Sequence, residues 1–194
     1  MPSLSSLPLS EFQKVLTRQN VTLLQVIHVA IGSGVLAFLV ALAVIGAGAG
    51  GAGAGMENAL QVVTWLTLIN VVIALAVYGL AGWVYNSRFA QSTLDELGTK
   101  DLVTPRGGTY TEPAEKALML IRTASILRLA MYEAVAMVGL VVLLLAVIDR
   151  VLEPNLWLWV NIIPTLILFA LIALTFPTRD RIETVFRTHI QKTL

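Results

Sequence analysis

Four long apolar segments govern what this chain can become. They run roughly over residues 21–45, 60–85, 129–148 and 156–176. Each reaches the ~20 residues that a helix needs to cross the hydrocarbon core of a bilayer. In lipid, every backbone N–H and C=O must be satisfied within its own segment or in a closed barrel. None of the four segments has the period-2 alternation of a membrane strand. The expected fold is an all-α integral membrane protein with four transmembrane helices, arranged as two hairpins in a single membrane domain over residues 1–194. The charge content supports this, because only 13% of residues are charged, against about 25% in a soluble domain. Mean hydropathy is +0.81.

Lys and Arg placement sets the expected orientation. The N-terminal arm carries Lys14 and Arg18. The loop over 86–120 carries Arg88, Lys100, Arg106 and Lys116, with Arg122 and Arg128 just beyond it. The tail over 177–194 carries Arg179, Arg181, Arg187 and Lys192. The first short connection has no basic residue and the last has only Arg150. Both termini and the central loop are therefore expected on the cytoplasmic side of the cell inner membrane. Trp65, Trp157 and Trp159 fall near the outer ends of the segments, and Trp83 and Tyr85 near an inner end, as interfacial anchors do. No basic n-region leads directly into a short apolar core and small-residue cleavage site, so no cleaved signal peptide is expected.

Both termini read as amphipathic surface helices. Phe12, Val15 and Leu16 share one face, and Ser10 with Gln13 fits a capping box. In the tail, Ile182, Val185, Phe186 and Ile190 make an apolar stripe at helical spacing, flanked by Arg and Lys that favour anionic headgroups. The central loop reads as too short and too polar to bury a core of its own. From Pro113 the pattern turns helical, with Thr111 as a candidate N-cap. That helix is expected to run straight into the third span.

The two hairpins invite a test for duplication. An offset of 100 sets His28 over Arg128, Ala30 over Ala130, Ser33 over Glu133 and Val35 over Val135. An offset of 91 sets Asn70 over Asn161 and Arg88 over Arg179. Polar residues match in depth, while identities are few.

Polar residues inside the spans are where function concentrates. A charged carboxylate at mid-helix costs about 2.5–3.5 kcal/mol on insertion scales, so Glu133 needs a proton or a partner across the bundle. Arg128 is a poor partner, because five residues turn ~140° net around the helix; its long side chain snorkels instead. His28 is the expected partner and, with Glu133, the candidate ion or proton site. Arg128, Ser33, Asn70 and Asn161 are the supporting in-membrane polar residues. Ala130, Ala134 and Gly139 are small enough for close helix packing. Pro164 is expected to kink the fourth span and free a carbonyl.

Arg122–Ala146, RTASILRLAMYEAVAMVGLVVLLLA, resembles the second helix of the proteolipid c subunit of rotary ATP synthases. The resemblance rests on Arg122, Thr123, Glu133, Ala134, Gly139, Leu140, Val141 and Val142. It implies an ion-binding role for Glu133, and it covers about 25 of the 194 residues. The central loop lacks that family's Arg-Gln-Pro turn, Arg128 stands where the family has a small residue, and the fourth span has no carboxylate. The layout also resembles small, uncharacterised four-span bacterial membrane proteins, which implies no chemistry.

Several functions find no support. There is no Cys and hence no thiolate, disulfide or Cys-based metal chemistry. A net charge of +1 offers no nucleic-acid footprint. The two histidines, His28 and His189, are far apart in sequence, and neither HExxH nor a nucleotide loop with its proper context appears. No catalytic residue, metal site or cofactor is expected. The run GAGAGGAGAG at 46–55 contains G-x-G-x-x-G at Gly46, Gly48 and Gly51, but it follows an apolar helix rather than a strand. It reads as an uncharged outer connector. The expected function is a non-catalytic polytopic membrane protein, a subunit or assembly partner of a larger complex, in contact with lipid and with other subunits or its own copies. The alternative is a proton- or ion-handling protein that uses Glu133, including a rotor-like element.

Overall fold

The computed structural model describes residues 4–48, 56–99, 102–103 and 109–191. Most of the glycine run, and the basic residues Lys100, Arg106 and Lys192, lie outside them. The element order is a 3-10 turn (Leu4–Ser6), α1 (Leu9–Val15), α2 (Arg18–Gly48), α3 (Met56–Ser87), α4 (Gln91–Thr99), β1 (Leu102–Val103), β2 (Thr109–Tyr110), α5 (Pro113–Ile148), a 3-10 segment (Leu156–Ile162), α6 (Ile163–Thr175), α7 (Arg179–Val185) and a π-helical turn (Phe186–Ile190). Four helices are long and apolar enough to cross a membrane: Arg18–Gly48, Glu57–Ser87, Pro113–Ile148 and the composite Leu156–Thr175.

The helices outrun the apolar segments that predict them. α2 continues through Gly46, Ala47 and Gly48, so the start of the glycine run is helical. α5 has 36 residues, or ~54 Å, well beyond a bilayer core of ~30 Å. It starts at Pro113, whose missing N–H is harmless in a first turn, and Glu115 lies in that turn, where negative charge suits the helix dipole.

The chain divides into two compact units. One comprises residues 1–28, 82–128 and 175–194; the other comprises 29–81 and 129–174. We call them the terminal unit and the bundle unit. The division passes through α2, α3 and α5 and falls at the end of α6.

The bundle unit holds helical stretches of bilayer length. Its interior is built around α5, where Ala136, Leu140, Leu143 and Ala146 have no solvent exposure, together with Val35 of α2, Val63 of α3 and Leu168 of α6. α5 closes on a Schellman arrangement. Val151 N–H donates to the Ala146 carbonyl at 3.0 Å and Arg150 N–H to the Val147 carbonyl at 3.1 Å, the paired bonds that satisfy a helix C-terminus. The left-handed residue this motif requires is Arg150, with φ of 58°, rather than the usual glycine. The fourth span is broken where Pro164 predicts a kink. Residues Leu156–Ile162 form a seven-residue 3-10 segment before α6 begins, longer than the usual 3–4. Pro164 has no N–H to offer the Val160 carbonyl, and that carbonyl accepts from Ile163 N–H instead.

The terminal unit corrects one expectation. The apolar faces of α1 and the tail are not left for lipid: Phe12 and Phe186, neither exposed, stack at 4.1 Å with planes 7° apart. The central loop, too short for a core of its own, contributes to a shared one. Phe89, Leu94, Ala114, Ala117 and Leu118 join Leu4, Leu16, Ile182, Phe186 and Ile190 in one buried cluster. Each piece is too short to bury a core alone, but three pooled together do. Gln13 Nε2 donates to Glu183 at 3.0 Å, tying α1 to α7, and Thr178 caps α7 by accepting from Arg181 N–H.

Candidate functional site

Asn70, Asn161 and Thr67 form a connected polar cluster inside the bundle unit. Asn70 Nδ2 donates to Asn161 Oδ1 at 3.0 Å. Asn161 Nδ2 donates to Thr67 Oγ1 at 2.8 Å and to the Leu158 carbonyl at 3.0 Å. Thr67 Oγ1 donates in turn to the Val63 carbonyl at 2.8 Å. All three side chains are buried. Thr67 and Asn70 sit at i and i+3 on α3 and so share a face. Asn161 is placed by the 3-10 segment, and its amide satisfies a carbonyl of that segment.

Gly139 of α5 completes this clasp. A Cβ built there would collide with the Asn161 carbonyl oxygen and approach Asn70 Nδ2 to 3.2 Å. Glycine is needed here for close approach rather than for flexibility. Thr165 of α6 is also fully buried. Asn70 Oδ1 and Thr165 Oγ1 have no hydrogen-bond partner among the described residues. The cluster has amides and hydroxyls but no acid, base or activated nucleophile, so its chemistry is adhesion between helices.

Glu133 and His28 fall in different units. The His28 ring is 2% exposed, and its Nδ1 lies 2.9 Å from the Leu24 carbonyl on its own helix. A carbonyl only accepts, so Nδ1 carries the proton of that bond. Phe176 meets the ring edge-on at 6.4 Å. Glu133 is half-buried, and Ala130 and Ala134 beside it on α5 are uncovered by the rest of the chain. Arg128 lies over the Tyr85 ring at 5.2 Å, a cation–π arrangement. Ser33 is exposed on α2. The proposed set therefore separates: Asn70, Asn161 and Gly139 come together, while Ser33, Ala130 and Ala134 lie on outer faces.

Thr67, Thr165 and a stacked Tyr78–Tyr132 pair, with centroids 4.9 Å apart, escaped the sequence reading. The signal for Thr67 was its i, i+3 spacing from Asn70, and for Thr165 its i, i+4 spacing from Asn161. The terminal unit adds an aromatic group: Phe89 and Tyr85 lie 4.9 Å and 5.7 Å from the His189 ring. Among the described residues, no group of three or more His, Cys, Asp or Glu is placed to hold a metal ion. No protein-family model matches the chain, and no curated protein or solved structure is detectably similar to it.

Proposed function

We propose that this protein is a non-catalytic, multi-pass subunit or assembly partner of a larger inner-membrane complex, with both termini in the cytoplasm, and that it docks through α2. One observation carries this reading. Only 11% of the most apolar window of α2 is buried within the chain, against 39% for α5. The uncovered side of α2 includes Ala30, Ser33, Gly34, Ala37 and Ala41, at i, i+3, i+4, i+7 and i+11. Gly34 has no atom near enough to meet an added Cβ. In lipid, small residues at that spacing let a second helix approach to van der Waals contact.

The absence of native cysteine makes this directly testable. Single cysteines at residues 29, 30, 33, 34, 36, 37, 40 and 41, oxidised in native membranes, should crosslink to a partner helix at 30, 33, 34, 37 and 41. Residues 29, 36 and 40 should stay unlinked. Uniform crosslinking, or none, would count against docking through this face. Gly34→Ile should displace the partner without unfolding the bundle unit.

A second reading rests on Glu133. Its carboxylate has no hydrogen bond or ion pair with any described residue, although it is half-buried within a span. A proton, an ion or a residue of another subunit must then balance it. Dicyclohexylcarbodiimide labelling of Glu133, blocked by sodium or by raised pH, would favour proton or ion handling. Labelling that no cation blocks would leave the docking reading alone.

A further inference from the structure

The terminal unit contains a cavity of about 300 Å³ between the start of α5 and the α1–α2 junction. One wall is a single face of α5, where Glu115, Leu118, Met119 and Arg122 line the cavity. Their spacing of i, i+3, i+4 and i+7 puts all four on one side of the helix, with the two charges separated by ~10.5 Å of rise. An apolar floor therefore lies between a carboxylate and a guanidinium. Both charged residues are half-buried. Neither forms an ion pair with any described residue. Among the described residues, Arg122 Nη2 donates to the neutral amide oxygen of Asn20, at 3.3 Å, and its buried Nε–H has no acceptor. An uncompensated guanidinium in a partly desolvated wall is costly, and its planar fork suits an oxyanion.

Other lining residues supply further donors. Thr17 accepts from the Asn20 backbone N–H at 3.3 Å, so its own O–H remains to donate. Tyr110 and Lys14 also line the cavity. Asn20 is committed elsewhere: its Nδ2 donates to the Val15 carbonyl at 2.8 Å and its Oδ1 receives Arg122, so it positions the guanidinium. A guanidinium, an ammonium and two hydroxyls are more donors than the two oxygens of a carboxylate need, and they suit a phosphate. Glu115, at the other end of the floor, suits an ammonium group.

We propose that this cavity binds an amino-phosphate zwitterion, with its phosphate on Arg122 and its primary ammonium on Glu115. Lys14 is already 2.7 Å from Glu11 and serves as a secondary contact at the rim. The phosphoethanolamine group has this chemistry, whether it arrives as a lipid headgroup or as a free molecule. This site is independent of the docking face on α2.

The test uses the full chain in mild detergent and in nanodiscs. Free phosphoethanolamine is titrated calorimetrically, and retention of phosphatidylethanolamine, phosphatidylcholine and phosphatidylglycerol is compared by native mass spectrometry. Binding of the first lipid alone identifies a lipid source, and binding of free phosphoethanolamine alone identifies a soluble one; each supports the site. Arg122→Gln and Glu115→Gln should each weaken binding at least tenfold. Met119→Phe fills the cavity while keeping its charges, and should abolish binding while the far-ultraviolet spectrum is unchanged. Three results overturn the proposal: no binding of either form, binding indifferent to all three substitutions, or phosphatidylglycerol or phosphatidylcholine held as tightly as phosphatidylethanolamine.

Discussion

The two units of this chain differ in what their apolar interiors also hold. Within an otherwise apolar interior the bundle unit buries a polar set, Thr67, Asn70, Asn161 and Thr165, while Val72, Leu75 and Leu174 are more than 60% exposed. The terminal unit buries Phe12, Leu94, Phe186 and Ile190 and exposes charged side chains such as Glu11 and Arg179, although Lys116 is buried. Lipid is as apolar as leucine, so burying leucine gives little reason for membrane helices to associate; close packing and hydrogen bonds do that work. In water, burial of apolar surface is the main driving force. A polar set inside the bundle unit is what lipid-packed helices call for, and the large aromatic core of the terminal unit is what water calls for.

The sharpest way to break the comparison is Phe186→Ala. Truncating a fully buried Phe removes its transfer energy and leaves a cavity, costing about 3–5 kcal/mol. The expected outcome is selective: hydrogen exchange accelerates in α1, α4 and α7, while amides of α3 and of the second half of α5 keep their protection. Protection lost equally across both units would show that the terminal unit has no separate core.

Gly139→Ala probes the bundle unit by overpacking, with an expected loss of about 1–3 kcal/mol. Here the added methyl meets the Asn161 carbonyl, a backbone atom that cannot rotate away. The melting temperature in detergent should fall, and the terminal unit's exchange pattern should not change. A methyl tolerated without cost would mean that α5 and the 3-10 segment are not in close contact at Gly139.

Asn161→Leu should have a smaller effect. Interhelical hydrogen bonds in membranes average ~0.6 kcal/mol and reach ~1.7, so a loss of about 1 kcal/mol is expected from removing both of its interhelical bonds. In combination with Asn70→Leu, the loss should fall short of the sum of the single changes, because the two residues share a bond. Strict additivity in that double-mutant cycle would falsify the clasp.

The sequence was legible to unequal depth in the two units. Spans can be read because ~20 apolar residues in a row have few other uses, and the start of α5 can be read from Pro113 and its first turn. Asn70 and Asn161 stand out as polar residues in apolar runs, but nothing local says that one bonds to the other. The terminal unit was hidden for a physical reason. The stripe Ile182, Val185, Phe186, Ile190 has the same spacing whether it meets lipid or another helix, and Phe12, its partner, is 174 residues away from Phe186. Arg122 illustrates the same limit: as a residue it read as a basic flank of the third span, and only the fold sets it in a cavity that Thr17 also lines.

The smallest expected effect concerns a turn rather than an interior. Arg150 holds the left-handed position that ends α5, where a residue with a Cβ is strained by about 1–2 kcal/mol. Arg150→Gly removes that strain but frees the unfolded backbone, so a net gain of about 0.5–1 kcal/mol is expected. The gain should appear in the bundle unit alone, as a higher melting temperature with the same unfolding products. Val151 and Leu152, which donate to the Ala146 carbonyl, should show slower exchange in the variant. If stability instead falls, the arginine side chain contributes more at that end of the helix than its backbone strain removes, and positive charge beside the short last connection becomes the feature to pursue.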